Sequence, residues 1–465
     1  FMNTELLISP AASECLRSRI SPGKEVFCRS LFFSARWFVF ASCAKKGTHL
    51  IILPDRESAE YCCNDLYTLI EGDRVFFLPN SGSGVERSNY KSSLSIQRTT
   101  AVKQLLEASD ELKVIVTFPE ALEELIPVGS EVLSDSLVIE KGQEISHEQV
   151  IAKLGTSGFD RVDLVSAPGQ FAVRGSLIDF FSYSNNEAYR VSFWGNEVER
   201  INIFDCNTQL SKEEVHSAEI ISDIICNGEK ASRNILDTLD KSAILWLDSS
   251  DMYKEREFFP LTGNFARVYL DVPIEKQDEQ QVVFNLSPQP VFNKNFELLV
   301  ADIRTKIESG YKVVIFCEKQ AQCDRIRSIL DEERCPQPEF ITSCSIHKGF
   351  IDHESRICCY SDHEIFDRFQ RVSIRRSVEK SEQLTINDLS SFNIGDYVVH
   401  IDHGVGIFGG LVRMRDDKGR VHEVVKITYK DGDVVFVSVH LLNKISRFRS
   451  RDGEAPKINK LGSKT

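Results

Sequence analysis

Several things are missing from this 465-residue chain, and each absence removes a class of function. Its 13 cysteines never form a Cys-x-x-Cys pair, and no His/Cys spacing suits a zinc site. The vicinal pairs Cys62-Cys63 and Cys358-Cys359 sit beside apolar residues, the setting of buried, reduced thiols. No apolar run approaches the ~20 residues that span a bilayer, and no charged-then-apolar targeting pattern opens the sequence. A cytoplasmic protein without a membrane segment is expected. A phosphate-cradling Gly-x-x-x-x-Gly-Lys-Ser/Thr loop is also absent. Cys43-Ala44-Lys45-Lys46-Gly47-Thr48, after a predicted strand Phe38–Ser42, has one glycine and no lysine behind it. Ser21-Pro22-Gly23-Lys24-Glu25 lacks the first glycine and the hydroxyl residue. Neither a Gly-x-Ser-x-Gly elbow nor a paired-carboxylate constellation stands out. No excess of positive charge is present either: the net charge is −13 and the pI about 5.4. Proteins that grip nucleic acid usually show the opposite balance, so protein partners are favoured. These absences predict no catalytic residue, no cofactor and no metal.

What is present reads as a soluble α/β multidomain protein, 42% hydrophobic and 27% charged, with no internal repeat. Residues 1–128 alternate strands (Leu50–Leu53, Val75–Leu78, Val114–Phe118) with helices (Glu57–Ile70, Ser95–Glu107), the pattern of a parallel sheet covered by helices. Residues 129–213 change character. Val162–Ser166, Gln170–Phe181, Ala188–Trp194 and Glu197–Phe204 predict an inserted antiparallel α+β domain, with turns at Pro168-Gly169 and Gly195-Asn196. The first style resumes at Ala243–Leu247, so residues 214–284 are expected to return to the first domain. A small α/β domain is expected over 285–375 and a charged linker over 376–390.

Residues 391–450 are the most distinctive. Apolar and polar residues alternate through Gly395-Asp396-Tyr397-Val398-Val399-His400-Ile401-Asp402-His403-Gly404-Val405-Gly406, and a Gly409-Gly410-Leu411 segment follows. Val424–Tyr429 and Val434–Val439 flank Lys430-Asp431-Gly432-Asp433, a strong hairpin signal. A small, bent antiparallel sheet or partial barrel is expected, with glycines at the bends. His400 and Asp402 share a strand face while His403 points away, which argues against a metal. Residues 451–465 are polar.

This last segment resembles the RNA-polymerase-interacting module of the bacterial transcription-repair coupling factors (the Mfd family), shared with CarD-type regulators. Earlier words fit the same family: Ser34-Ala35-Arg36, Leu53-Pro54-Asp55 and Tyr61-Cys62-Cys63-Asn64-Asp65-Leu66 resemble its UvrB-like module, which has lost the nucleotide loop. The inserted hairpin Gly158–Phe181 is similar to the element by which UvrB and Mfd dock on UvrA. The resemblance puts docking arginines at Arg161 and Arg174 and a docking phenylalanine at Phe181, with Phe171 a companion; Ala172 stands where UvrB carries another arginine. It puts polymerase contacts at Met414 and Phe436, with Leu411 and Arg413 adjacent, on a strand near Phe408–Arg415 and its neighbour Val434–Val437. An exposed Met and Phe on a sheet edge suit addition of a partner's strand. What the resemblance implies is a scaffold, expected to be monomeric, that binds UvrA and the RNA polymerase β subunit. DNA and ATP would be handled by a translocase absent from residues 1–465. The other readings are an ATP-dependent UvrB-type excision-repair helicase and a free-standing CarD-like transcription regulator.

Overall fold

The structure is a computed structural model describing residues 8–368 and 395–447, apart from 71, 82–87, 108–109, 128–135, 184–186, 207–208, 223–231, 271–280, 401–402, 416–420 and 439–444. The expected linker 376–390 and the polar segment 451–465 lie outside the described residues. Two compact units emerge, the first combining residues 1–87, 97–134 and 224–375.

The first unit is built on a seven-stranded sheet in the order 281–283, 25–29, 266–270, 244–248, 48–52, 113–117, 75–77. Every pairing is parallel. Ile244–Asp248 and Ala266–Leu270 slot between Glu25–Arg29 and Thr48–Ile52, so the chain does return to its first sheet. Alternation sorts the strands into two cores. Ile51, Val114, Trp246 and Val268 face one side; Leu50, Ile52, Ile115, Leu245 and Leu247 face the other. Helix Arg56–Leu69 starts at Asp55, whose side chain accepts from Ser58 N, a normal N-cap.

Phe38–Ser42 is not a strand. It lies in helix Ala35–Cys43, buried at Ala35 and from Trp37 to Phe40. A short run apolar on all sides cannot tell helix from strand, and here the helix is enclosed between two layers. Phe38 meets Phe316 (5.9 Å) and Phe350 (5.3 Å), residues of a second, five-stranded sheet. Its order is 286–288, 350–352, 357–361, 312–316, 340–342. Val314, Phe316, Phe350 and Cys359 join the first sheet's core, so the 285–368 segment shares a core with residues 8–127. The vicinal thiols Cys62, Cys63, Cys358 and Cys359 are free and buried, and burial raises all four.

The inserted segment forms a six-stranded sheet ordered 211–215, 197–204, 188–194, 177–181, 170–174, 160–161. Two expectations need correcting. Gln170–Phe181 is two strands, because Gly175 (φ +60°) turns Gln170–Arg174 into an antiparallel hairpin with Leu177–Phe181. Ahead of it the strand is Asp160–Arg161, which pairs parallel with Gln170-Phe171, so Pro168-Gly169 is not a hairpin turn. Helix His147–Thr156 closes one face behind a capping box of Ser146 and Gln149.

Residues 395–447 make a five-stranded antiparallel sheet ordered 434–438, 421–428, 404–415, 397–400, 445–447. The predicted hairpin is there, with Gly432 at φ +84° and Tyr429 N donating to Asp433 O. A bulge between Phe408 and Leu411 falls on Gly409-Gly410, bending the long strand. Gly406 is required: a Cβ there would sit 2.6 Å from Ile427 Cγ2 and 3.1 Å from Tyr429 Cε1. Gly406→Val should therefore destabilise this sheet by about 1–3 kcal/mol. Limited proteolysis should then cut within residues 395–447 at urea concentrations the parent resists, and equal resistance would count against the close approach.

Candidate functional site

In the inserted sheet, the hairpin at Gly175 decides which side chains meet. It pairs Ala172 with Asp179 and Arg174 with Leu177, so Arg174 and Asp179 share a face, whereas on one continuous strand they would oppose. Asp179 has a side chain 1% exposed and accepts from two arginines. Arg190 takes both its oxygens, Nε to Oδ1 at 2.7 Å and Nη2 to Oδ2 at 2.9 Å. Arg174 adds a single short contact from Nη2 and keeps its side chain 43% exposed. Arg190 is held further by Nη1 donating to Gln209 O at 3.2 Å, whereas Arg174 makes only a long second contact, Nη2 to Gln209 Oε1 at 3.5 Å, among the described residues.

Arg161 is exposed on the edge strand, but its register partner is Phe171, on the opposite pleat face from Arg174. The four residues singled out for docking thus do not form one cluster. Phe171 is 4% exposed, in the core with Ile178 and Phe180; Phe181 is 7% exposed, in another with Val165, Ala188 and Phe204. Both phenylalanines support the strands from within. The partners Asp179 and Arg190 escaped the sequence reading because the split at Gly175 reverses the facing of everything after it.

In the C-terminal sheet, Val434–Ser438 is an edge strand, and Val421–Thr428 separates it from Gly404–Arg415. The expectation that 408–415 and 434–437 are neighbours is corrected by that intervening strand. Register still relates them. Met414 pairs with His422, and Phe436 with Lys426, so positions 414 and 436 fall on one face, with 411 and 413 on the other. Phe436 is 46% exposed and Leu411 51%. Along strand Gly404–Arg415, Tyr397–His400 pairs only with Gly404–Ile407; among the described residues no strand borders the other edge of Leu411–Arg415. That leaves a run of backbone able to accept an added strand.

His400 and His403 do not point apart. The strand ends at His400, His403 N donates to His400 O, and the rings stack at 4.6 Å. No group of metal-ligating side chains occurs among the described residues.

Open α/β sheets take ligands at the carboxyl ends of their strands. Here the turn after strand Glu25–Arg29 is Ser30-Leu31-Phe32-Phe33-Ser34, without glycine or lysine. Ser30 and Phe33 hold positive φ in place of glycines. The acid at the end of strand Ile244–Asp248 is already taken: Arg36 Nη1 reaches Asp248 Oδ1 at 2.5 Å. Phe32, Phe33 and the Arg36–Asp248 pair line a cavity of about 320 Å³ there, and the turn beside it has no glycine-lysine loop of the kind that cradles a phosphate.

The class these features define is a multidomain α/β chain bearing two separate interaction domains. A UvrB interaction domain matches residues 137–223, and a CarD-like/TRCF RID domain matches residues 392–449. Curated relatives include the transcription-repair-coupling factors of Staphylococcus aureus strain MRSA252 (21% identical over 430 residues, 70% of this chain and 37% of the relative) and Staphylococcus haemolyticus strain JCSC1435 (22%, 70% and 36%). The same protein of Staphylococcus epidermidis strain ATCC 12228 is 22% identical over 434 residues, covering 70% and 36%. The chain spans little more than a third of the length of these relatives. The two domains and these relatives together make the chain similar to part of the transcription-repair-coupling factors.

Proposed function

We propose that this chain is the adaptor portion of a transcription-coupled excision-repair factor, joining UvrA to RNA polymerase at a DNA lesion. The observation that carries the reading is the presence of a UvrB interaction domain and a CarD-like polymerase-interacting domain in one chain. Arg174, tethered but outward, is the principal UvrA contact, with Arg161 serving from the adjoining edge strand; guanidinium groups suit bidentate capture of a carboxylate. Phe171 and Phe181 hold those strands in place. The polymerase β subunit adds a strand along Leu411–Arg415, with Leu411, Arg413, Met414 and Phe436 supplying side-chain contacts. The 1–128 and 214–284 segments, the 285–375 segment and the 391–450 sheet act as a monomeric frame for these surfaces. DNA translocation and ATP hydrolysis belong to other parts of the full-length protein. A UvrB-type helicase would need a glycine-lysine phosphate loop after strand Glu25–Arg29, where Ser30-Leu31-Phe32-Phe33-Ser34 stands instead.

Pull-downs with purified UvrA and purified β subunit test this. Arg174→Glu should cost UvrA binding at least ~100-fold while leaving β-subunit binding intact. Met414→Arg should do the reverse. Retention of both partners by either variant would overturn that surface's assignment.

A further inference from the structure

The cavity of about 320 Å³ at the end of the seven-stranded sheet lies where the strand order favours a ligand. Strand Ile244–Asp248 leads to its neighbour on one side, Ala266–Leu270. Its neighbour on the other side, Thr48–Ile52, leads through helix Arg56–Leu69 to the edge strand Val75–Phe77. From these two adjacent parallel strands the chain therefore departs in opposite directions, and the crevice outside their carboxyl ends is where open α/β sheets take ligands. Leu53-Pro54 and Asp248-Ser249, at the ends of those two strands, line the cavity. Its volume stands at the small end of ligand pockets, which run from ~300 to 1,000 Å³.

The lining carries two cations with donors to spare. Arg36 gives Nη1 to Asp248 and Nε to Phe33 O (3.1 Å), which leaves Nη2 without an acceptor among the described residues. Lys348 Nζ makes no hydrogen bond or ion pair among them and lies 5.1 Å from the centroid of the Phe33 ring. Asp248 is the one carboxylate set against these two charges, so a single positive charge is in excess. The flat walls are aromatic. Phe32 and Phe33 meet edge to face at 5.1 Å, and Tyr61 is steadied by stacking on His347 at 3.5 Å.

We propose that this cavity binds a small aromatic carboxylate, its acid taken by Arg36 and Lys348 and its ring by Phe33 and Tyr61. One excess positive charge matches a monoanion. A polyphosphate would meet the Asp248 carboxylate with no glycine-lysine loop to offset it, so the site is not a nucleotide pocket.

Calorimetric titration of the full chain with indole-3-carboxylate tests this, with indole as the probe that lacks the acid. The acid should bind with a Kd on the order of 0.1–1 mM, as suits about a dozen heavy atoms, and indole at least ~10-fold more weakly. Lys348→Gln changes an exposed side chain and should leave urea melts unchanged while weakening the acid about tenfold. Phe33→Leu should weaken both probes, since it removes a ring face and keeps the charges. Equal binding of the acid and indole, no binding of the acid at about 10 mM, or parent-like binding by either variant would each overturn the proposal. Displacement of the acid by ATP would overturn it as well, by making the space a nucleotide pocket.

Discussion

Trp246→Ala should destabilise the first unit by about 3–5 kcal/mol, the range for truncating a fully buried aromatic. Trp246 has no exposed surface and sits mid-strand in the seven-stranded sheet, packed edge-on against Phe40 at 4.9 Å. Its loss also strands a polar partner. Nε1 donates to His49 Nδ1 at 3.1 Å, while His49 Nε2 lies 3.1 Å from Lys46 O. An accepting Nδ1 and a donating Nε2 define one neutral tautomer, and burial pushes the imidazole down to about 4, which keeps it neutral. Without the indole, His49 keeps a buried acceptor with no donor. Trp246→Phe retains most of the volume but not the N–H, so it should lie between parent and alanine variant in urea melts. If the phenylalanine variant matches the parent, the hydrogen bond contributes nothing and packing alone is at stake.

How far the sequence exposed all this depends on what each stretch does. Strands Thr48–Ile52 and Lys113–Thr117 were legible because short apolar runs alternated with an amphipathic helix. Trp37–Phe40 was not, since a helix buried on every side carries no periodicity. At the candidate sites, residue type singled out Arg174 and Phe436, but which face each takes depended on backbone turns. One glycine, Gly175, moved Asp179 onto the face of Arg174, and Gly409-Gly410 broke the alternation ahead of Leu411. Burial of Phe171 and Phe181 was likewise invisible, because an interface aromatic and a core aromatic are the same letter. Residues 44–48, expected to follow a strand, follow helix Ala35–Cys43 instead. The turn that matters, Ser30–Ser34, lacks a glycine-lysine loop as well.

Asp65→Asn should change how stability depends on pH, and the sign follows from the site. Asp65 has no exposed surface and joins the first sheet's helix Arg56–Leu69 to the loop around residue 347. It accepts from Ser34 Oγ at 2.5 Å and from His347 N at 2.7 Å, and Ser34 Oγ in turn accepts from Lys348 N at 2.9 Å. Burial lifts its carboxyl from 3.8 to about 7, against the pull of Ser34, the His347 and Asn64 hydrogen bonds and the nearby Arg36. A raised folded value means the native state binds the proton more tightly than the unfolded chain does. Its contribution is therefore fully present below about pH 4 and is lost as pH rises through about 7. The parent's own profile will not show this plainly. His49 and His363, both lowered to about 4 by burial, gain stability across pH 4 to 6.5 and run the other way. Subtracting the Asp65→Asn melts from the parent's removes those shared terms. Asparagine can still accept from His347 N while staying neutral, so the variant should gain on the parent by roughly 2–4 kcal/mol between pH 4 and pH 8. Parallel curves over that range would mean that Asp65 titrates as an ordinary carboxylate and that the junction it bridges is wetter than its burial indicates.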